Sequence, residues 1–307
     1  MIRVDSLTVN YGELRAVDNV SFTVSEGEIF GLVGPNGAGK TSTVECIEGL
    51  RRAYSGTVRV LGLDPWKDRQ ELYGLVGVQL QDTAYQERVR VFEICELFAS
   101  LYRRPTPYDE LLKMMQLTAK KRDFIANLSG GQRQKLSIVL ALIPNPRVLF
   151  LDELTTGLDP HARHRMWELL LQLKKRGLTI VLVSHYMDEV EAVCDRVAMM
   201  NCGRIVSSGT IGEVVGRFAL PTMISFRSPV EHLGSFENLA GITSVQRKHN
   251  LITLCGNGDK AVAALLRHLE ENEIEYTGLA VKPPDLEAVF LELAGTAPAA
   301  DSLEGVK

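Results

Sequence analysis

The stretch that most constrains the fold of this chain is Gly-Pro-Asn-Gly-Ala-Gly-Lys-Thr at residues 34–41. Two of its glycines are separated by four residues and followed by Lys40 and Thr41, which is the pattern of a phosphate-binding loop. An apolar run at 28–33 predicts a buried strand before the loop, and residues 42–47 predict a helix after it. At such a strand-to-helix turn, backbone N–H groups and the helix N-terminus point at phosphate oxygens. The stretch therefore predicts a nucleotide triphosphate site, and the alternative is an ordinary glycine-rich turn.

Size and charge narrow the class of protein. The chain has 307 residues, of which 45% are apolar, and this allows one or two globular domains with packed cores. Its formal net charge of -4 gives no basic excess, so overall charge does not suggest a nucleic acid partner. No segment approaches the apolar length of about 20 residues that a membrane helix needs. The five cysteines lack metal-type spacing and the N-terminus does not resemble a signal peptide, so we expect buried, reduced thiols in a cytosolic protein.

Two further patterns flank the predicted core. Residues 2–9 and 20–24 alternate between apolar and polar side chains, which predicts a short antiparallel sheet. Tyr11 follows the first of these strands, where an exposed ring offers a flat face to a purine, although packing at a strand end is the commoner explanation. A helical insert is predicted at about 83–140, because apolar residues recur at helical spacing from about 89 to 117.

Two apolar strands end in residues that can carry chemistry. The strand at 147–153 ends in Asp152 and Glu153, and the strand at 179–185 ends in His185. Buried parallel strands present their carboxyl ends to a ligand, and adjacent acids there need a cation or a water to act on. Strands alternate with helices along this part of the chain, so we predict an α/β core with a mainly parallel sheet.

A third polar segment, Ser129-Gly130-Gly131-Gln132, precedes an apolar helix. Ser129 is placed to cap that helix, and the two glycines leave backbone N–H groups bare. These residues alone do not distinguish a site for an anion from an ordinary helix cap.

The composition changes after about residue 219, where the glycine-rich motifs stop. We therefore predict two domains, 1–219 and 220–307. In the second, the order strand, helix, strand, strand, helix, strand, helix predicts a small ferredoxin-like α+β domain, whose first helix is predicted from Val230 to Leu239. It carries no recognisable catalytic constellation, and we expect an accessory or regulatory domain whose tail from about 296 is disordered.

The motifs, taken together, stand in the order that is typical of one ATPase family. The chain resembles an ATP-binding subunit of the ABC transporters over residues 2 to about 216, and the most specific element is Leu128-Ser129-Gly130-Gly131-Gln132 just before the acidic strand. There are two departures. Leu154 follows Glu153 where the family usually has proline, and Gln79 lies near Gln81, so the metal-contacting glutamine is assigned by register. The resemblance implies the α/β fold of a P-loop NTPase.

The resemblance also implies a role for each motif residue, with ATP and Mg²⁺ as cofactors. Tyr11 stacks on adenine, and Thr41, Gln81 and Asp152 complete the Mg²⁺ site. Glu153 acts as the general base, and His185 holds the γ-phosphate and orients the water; together with Gln81 these are the implied catalytic residues. The implied nucleotide-binding residues are Tyr11, Gly34, Pro35, Asn36, Gly37, Ala38, Gly39, Lys40, Thr41, Ser42, Ser129, Gly130, Gly131, Gln132 and Asp159.

One chain carries one set of these motifs, so the resemblance implies a site built from two copies. Residues 129–132 would contact the γ-phosphate bound by a second cassette, with Asp159 at the seam of a head-to-tail homodimer or of a pair with another cassette. The helical insert would receive the coupling segment of a separate membrane permease. The chain would then be a cytoplasmic protein, peripheral on the inner face of the cell membrane, with no nucleic acid partner.

The segment at 283–293 is similar to the closing helix of exporter ATPases of the daunorubicin-resistance type. This favours the export of drugs, lipids or other amphiphiles. One alternative is a soluble ATPase of the same family that acts on ribosomes or nucleic acid, but such proteins usually carry two cassettes or a long coiled-coil arm. Another is a regulator without catalysis, which would be expected to lack Glu153 or His185.

Overall fold

The computed structural model describes residues 1–79, 88–230 and 233–295. The chain divides into two compact units, of which the first is Met1–Ile211 and the second begins at Gly212. The division falls a few residues before the predicted boundary near 219, at the start of helix α8 (Ile211–Gly216). The predicted tail from about 296 lies outside the described residues.

A sheet of mostly parallel strands forms the centre of the first unit. Within the described residues its strands are β3 (Ile29–Val33), β5 (Val76–Gln79), β6 (Val148–Asp152), β7 (Thr179–Ser184), β8 (Arg196–Asn201) and β9 (Arg204–Thr210). Their order across the sheet is β5-β6-β7-β3-β8-β9, and neighbours are parallel except in the closing β8–β9 hairpin. β3 and β7 are buried along their whole length, which explains their continuous apolar sequences. The predicted, mainly parallel sheet is confirmed.

The strand register brings the predicted site segments to one edge of this sheet. Val33 of β3 pairs with Ser184 of β7, and Asp152 of β6 pairs with Val183. Because these strands are parallel, the glycine-rich loop, the acidic pair and the histidine all leave the sheet at the same edge.

An antiparallel sheet packs against this core, as predicted. Its strands are β1 (Ile2–Tyr11), β2 (Leu14–Val24) and β4 (Ser55–Val60), in the order β2-β1-β4. Phe22 of β2 stacks on Phe30 of β3, with ring centroids 5.2 Å apart and planes 4° from parallel. One buried apolar cluster continues from this sheet into the parallel sheet. The shared core fixes the position of the β1–β2 turn, which carries Tyr11.

Helices cover the parallel sheet and form the insert. Those described in the first unit are α1 (Lys40–Ile47), α2 (Arg69–Leu72), α3 (Val91–Ser100), α4 (Tyr108–Met114), α5 (Gly130–Leu142), α6 (Pro160–Lys175) and α7 (Met187–Val193). α5 lies so close to β5 that a Cβ atom at Gly77 would be 2.0 Å from the carbonyl oxygen of Ala141. The predicted helical insert is present as α3, α4 and the start of α5, whereas residues 83–87 lie outside the described part and the bounds of the insert stay a prediction. No helix among the described residues is long and apolar enough to cross a bilayer.

The second unit has the predicted ferredoxin-like topology. It consists of β10 (Thr222–Arg227), α9 (Gly234–Glu237), β11 (Ile242–Lys248), β12 (Leu251–Gly256), α10 (Gly258–Glu271), β13 (Thr277–Lys282) and α11 (Leu286–Gly295). The sheet order is β11-β12-β10-β13, with every neighbouring pair antiparallel. Phe226 and Leu254 of the sheet pack with Phe236 of α9 and Leu265 of α10 in one buried cluster. This unit therefore has its own core.

Two sequence-based expectations are wrong in detail. The helix predicted from Val230 to Leu239 is the short α9, although Glu231 and His232 lie outside the described residues. The cysteines are unpaired, but they are not all buried, because Cys202 is exposed and Cys255 is half-buried. Cys202 occupies the tight β8–β9 turn with a positive φ of 46°, and a residue at such a turn points its side chain to solvent.

Candidate nucleotide-binding site

The loop between β3 and α1 adopts a backbone path that requires glycine at two positions. Gly34 has a φ of 154°, and a Cβ atom there would lie 2.2 Å from the carbonyl oxygen of Met200. Gly39 has a φ of 95°, and its Cβ atom would lie 2.4 Å from the carbonyl oxygen of Ala16. Gly39 also immediately precedes α1 and brings no side chain to cap it. The N–H groups at the start of α1 are thus available to an anion.

Lys40 folds back over this loop. Its Nζ donates hydrogen bonds to the carbonyl oxygens of Gly34 and Pro35, at 2.8 and 2.9 Å. Burial lowers the pKa of the ammonium group, and the carboxylates of Glu153 and Asp152 act in the opposite direction. Lys40 therefore places its own positive charge at the loop, next to two acids. A phosphate oxygen could replace the carbonyl oxygens that now accept its hydrogen bonds.

The acidic pair and the histidine meet at the ends of β6 and β7. His185 Nδ1 lies 3.2 Å from Glu153 Oε1. Glu153 has a φ of 48°, a strained value for a residue with a side chain, and its N–H donates to the carbonyl oxygen of Val183 at 3.0 Å. Leu154, which stands where proline was expected from the resemblance, is fully buried in the core. The backbone at Glu153 is thus held in place from both sides.

The carboxyl group of Asp152 is partly buried beside Glu153, so a nearby cation would stabilise its ionised form. Burial, then the charge of Glu153, raise its pKa to about 6, whereas Lys40 lowers it. Thr41 lines the same cleft, and a hydroxyl with a carboxylate oxygen is a donor set that suits Mg²⁺. Gln81, the third predicted metal contact, lies outside the described residues. The nearby Gln79 is buried at the end of β5, where its Oε1 accepts a hydrogen bond from the N–H of Asp152 at 3.2 Å. That contact gives Gln79 a structural role in the sheet.

One cleft of about 740 Å³ brings most of the predicted nucleotide-binding residues together. The predicted residues that line it are Tyr11, Asn36, Gly37, Ala38, Gly39, Lys40, Thr41, Ser42, Asp152, Glu153 and His185. Gly34 and Pro35 do not line it, but their carbonyl oxygens accept hydrogen bonds from Lys40, which does. The volume suits a bound nucleotide, since ligand pockets commonly measure about 300–1,000 Å³.

Tyr11 lies at the rim of this cleft with 44% of its surface exposed. Its hydroxyl group is 3.0 Å from the hydroxyl of Ser42, which orients the ring relative to the loop. The guanidinium of Arg51 covers one face of the ring at 4.4 Å from the centroid, and Glu45 pairs with that guanidinium at 2.5 Å. Sequence reasoning missed Arg51, because nothing in the local pattern links it to a tyrosine forty residues earlier.

The segment at 129–132 lies in a different cleft, of about 630 Å³, together with Asp159. Ser129 and Gln132 form a reciprocal cap on α5: the N–H of Gln132 donates to Ser129 Oγ at 3.3 Å, and the N–H of Ser129 donates to Gln132 Oε1 at 2.9 Å. A Cβ atom at Gly130 would meet nothing within 4 Å, so the backbone there is open. Asp159 caps α6 by accepting from the N–H of Ala162 at 2.9 Å. The helix-cap interpretation is correct, and it leaves the glycine backbone accessible.

Two cations that sequence reasoning also missed line this second cleft. Lys135 follows the cap on α5, and Arg165 lies on the first turns of α6. Burial, then the charge of Arg165, lower the pKa of Lys135. A helix N-terminus with two cations forms a surface that favours an anion.

Comparison with known proteins identifies the family. A family model described as ABC transporter matches residues 17–156. The chain is 35% identical over 309 residues to "Nod factor export ATP-binding protein I" of Rhizobium meliloti, which covers 96% of this chain and 88% of that protein. The chain belongs to the ABC transporter family of ATP-binding proteins. As a member of this family it is an ATPase, and the resemblance inferred from its motifs is confirmed.

Two further matches support the assignment over different lengths. "Daunorubicin resistance ATP-binding protein DrrA3" of Streptomyces coeruleorubidus is 31% identical over 302 residues, covering 96% of each chain. A solved structure described as "Dimeric Structure of MJ0796, a Bacterial ABC Transporter Cassette" has a TM-score of 0.62 and 26% identity, and covers 68% of this chain and 98% of that one. The cassette fold is thus confirmed, and the sequence similarity extends through nearly the whole chain.

Proposed function

We propose that this ABC ATPase is the energy-supplying subunit of an exporter and hydrolyses ATP at composite sites in a head-to-tail dimer. The observation that carries this proposal is the distribution of the motif residues between two clefts of one unit. The phosphate loop and the acidic pair line one cleft, and the segment 129–132 and Asp159 line the other. A second copy that supplies its own 129–132 segment would complete the first cleft. The match to a dimeric cassette structure supports such an arrangement for this chain.

Within the first cleft each residue acts on the nucleotide according to its chemistry. Lys40 and the amides of Gly37 and Gly39 bind the phosphates, and Tyr11 stacks on the adenine. Thr41 and Asp152, with Gln81, would hold Mg²⁺, which supplies charge neutralisation on the phosphates when bound. Positioning and charge neutralisation account for most of the catalysis in phosphoryl transfer, so no covalent step is needed.

The last step of the mechanism belongs to the pair Glu153 and His185. Glu153 polarises the attacking water and accepts its proton, and His185, 3.2 Å away, fixes the carboxylate and orients the water. The strained backbone at Glu153 supports this role, because strain of this kind persists where the surrounding structure fixes a functional side chain.

Export through a separate permease is the transport role that the relatives favour. "Nod factor export" and "Daunorubicin resistance" are the functions printed for two relatives that match through the second unit as well as the cassette. We propose that α3 and α4 contact the permease, and that the chain is thereby held on the inner face of the membrane. The exported molecule would be a drug, lipid or other amphiphile.

A complementation assay tests the composite site. Ser129→Arg places a bulky cation where the backbone must approach a phosphate, and Glu153→Gln removes the base, so each variant alone should lose ATPase activity. A mixed dimer retains one intact site, formed by the first cleft of the Ser129→Arg chain and the 129–132 segment of the other. Mixing equal amounts should therefore restore about a quarter of the wild-type rate if the chains pair at random.

The control for this assay is each variant mixed with itself at the same total concentration. Two inactive variants that stay inactive when mixed, although both bind ATP and dimerise, would contradict the composite site. Normal hydrolysis by Ser129→Arg alone would contradict it as well. Co-purification of the chain with ribosomes and not with a membrane protein would favour the soluble alternative over the exporter.

A further inference from the structure

A buried carboxyl group lies behind the His185 end of the first cleft, outside its lining. Glu189 on α7 is fully buried, and burial raises the pKa of its carboxyl group. Its Oε2 accepts a hydrogen bond from the hydroxyl of Ser184 at 2.6 Å. Ser184 ends β7, and its Oγ also accepts from the N–H of Tyr186 at 3.1 Å. Through this one hydroxyl group, Glu189 fixes the two residues that flank His185.

The other carboxyl oxygen of Glu189, Oε1, does not accept a hydrogen bond from Ser184. Among the described residues, Glu189 Oε1 and Thr155 Oγ1 are both buried without a hydrogen-bond partner. The Thr155 hydroxyl nonetheless stabilises the ionised form of the carboxyl group and lowers its pKa, so the two groups lie close to each other. The Thr155 hydroxyl is therefore the buried donor within reach of Glu189 Oε1, and its removal would leave that oxygen without a donor among the described residues.

Thr155 belongs to the segment 154–159, which joins the proposed base to the residue at the proposed seam. The segment starts directly after Glu153 and ends at Asp159, the cap of α6. Leu154 and Thr155 are its buried residues, whereas residues 156, 157 and 159 are exposed. Asp159 and Thr155 are only four residues apart, so a contact of a second cassette with Asp159 can shift Thr155.

α6 also contacts the histidine turn directly. The guanidinium of Arg163 lies over the ring of Tyr186 at 4.7 Å and pairs with Asp188 at 3.0 Å. The Tyr186 ring in turn packs against His185, with centroids 4.1 Å apart. The start of α6 thus packs on the histidine turn, which Glu189 holds through Ser184.

We propose that Glu189 is a positioning residue for ATP hydrolysis that links the 154–159 segment to His185. One carboxyl oxygen holds Ser184 and with it the histidine. The other is the acceptor for the hydroxyl group of Thr155, and this contact keeps Glu153 aligned with His185 when a second cassette engages Asp159. Glu189 is not among the residues that line the first cleft, so its effect on hydrolysis acts through other residues. This inference rests on the proposed composite site.

The full chain tests the role with variants at both ends of the pair. Glu189→Leu removes both oxygens, and Thr155→Val removes the hydroxyl group at nearly constant volume. We expect each to lower kcat roughly ten- to hundredfold, the factor that corresponds to one lost hydrogen bond to a charged group. KM and ATP affinity should stay within about twofold, because neither side chain lines the first cleft. Glu191→Gln, at an exposed position on the same helix, is the matched control and should leave kcat unchanged.

Conservative variants separate positioning from a merely structural role. Glu189→Gln keeps an acceptor for Thr155 and gains an amide donor for Ser184, and Thr155→Ser keeps the hydroxyl, so both should retain most of the wild-type kcat. The double variant Glu189→Leu with Thr155→Val should be no slower than the slower single variant, since both remove the same interaction.

Three results would overturn the proposal: kcat effects that multiply in the double variant, Glu189→Gln as slow as Glu189→Leu, or a loss of ATP affinity with kcat intact. If Glu189→Leu does not fold, the comparison of Thr155→Val with Thr155→Ser decides, and equal kcat values for those two would be sufficient to reject the idea. The mixed-dimer assay separates this from failure of the composite site. Restored activity there with wild-type kcat in Thr155→Val would refute the role of Glu189 alone.

Discussion

Glu48 provides a test of how burial controls the stability of the first unit. It follows the last turn of α1, is only 5% exposed, and lines a cavity of about 240 Å³ whose walls include Tyr73 and Phe98. Burial, followed by the charges of Asp152 and Glu45, raises its pKa from 4.5 to about 8. The native unit therefore keeps Glu48 protonated at pH values where the unfolded chain has lost that proton.

The sign and size of the effect follow from this pKa difference. Between about pH 4.5 and about pH 8 the native state binds the proton and the unfolded state releases it, so the free energy of unfolding falls as the pH rises. Below this window the contribution of Glu48 is fully present, and it is lost as the pH approaches the native pKa. At about 1.4 kcal/mol per pKa unit, the loss between about pH 5 and about pH 8 is roughly 3–4 kcal/mol.

Glu48→Gln removes this dependence, and the change can be followed in the first unit alone. Both tryptophans of the chain, Trp66 and Trp167, lie in that unit, so their fluorescence reports its unfolding in urea. At about pH 5 the variant and the wild type should differ little. Between about pH 5 and about pH 8, the unfolding free energy of the variant should rise by roughly 3–4 kcal/mol relative to that of the wild type.

The comparison between the two pH values cancels any fixed effect of placing an amide in the cavity. Glu168→Gln, on the exposed face of α6, is the control and should follow the wild type at both pH values. Glu189, whose pKa burial also raises, has no charge interaction with Glu48, so it contributes the same slope to wild type and variant and drops out. An advantage of Glu48→Gln that is equal at both pH values would refute the reasoning.

Three further predictions concern the site and the second unit. Glu153→Gln should slow hydrolysis by on the order of a thousandfold while ATP binding persists, because only the base is lost, and retained turnover in a phosphate-release assay would exclude Glu153 as base. Tyr11→Ala should weaken ATP binding roughly tenfold or more in a calorimetric titration, whereas Tyr11→Phe should retain most of the affinity, as expected for stacking; equal affinities for Tyr11→Ala and wild type would count against the purine site. Phe226→Ala should lower the unfolding free energy of the second unit by about 3–5 kcal/mol, as measured by scanning calorimetry. It should leave ATP affinity unchanged. Lost nucleotide binding in the folded variant would show that the two units are not independent.

The sequence was sufficient to predict those elements whose structure depends on a local pattern of residues. β3 and β7 were predictable because a strand buried on both faces needs a continuous apolar run. The polar residues that end β6 and β7 could be placed at one edge because parallel strands share an orientation. The loop at 34–41 was predictable because the backbone path needs glycine at Gly34 and Gly39.

Contacts between distant side chains were not predictable in the same way. Arg51 covers Tyr11, and Thr155 lies beside Glu189, but neither pairing leaves a local pattern in the sequence. Glu48 reads as an ordinary polar residue after a helix, and only the packed cavity around it reveals its altered pKa. α9 is shorter than predicted, since apolar spacing indicates a helical face more reliably than it locates the helix ends.

The positions of the two clefts suggest how hydrolysis is restricted to the assembled dimer. The proposed phosphate-binding residues lie in the loop between β3 and α1 and at the start of α1, so we expect one chain alone to hold ATP. The proposed base instead lies at the start of the segment 154–159, which ends at the proposed seam, and its backbone is held at a φ of 48°. A contact at Asp159 can therefore change the alignment of Glu153 without disturbing the bound phosphates. On this reasoning ATP binding precedes dimer formation and catalysis follows it, which is why Ser129→Arg is expected to bind ATP normally and yet fail to hydrolyse it.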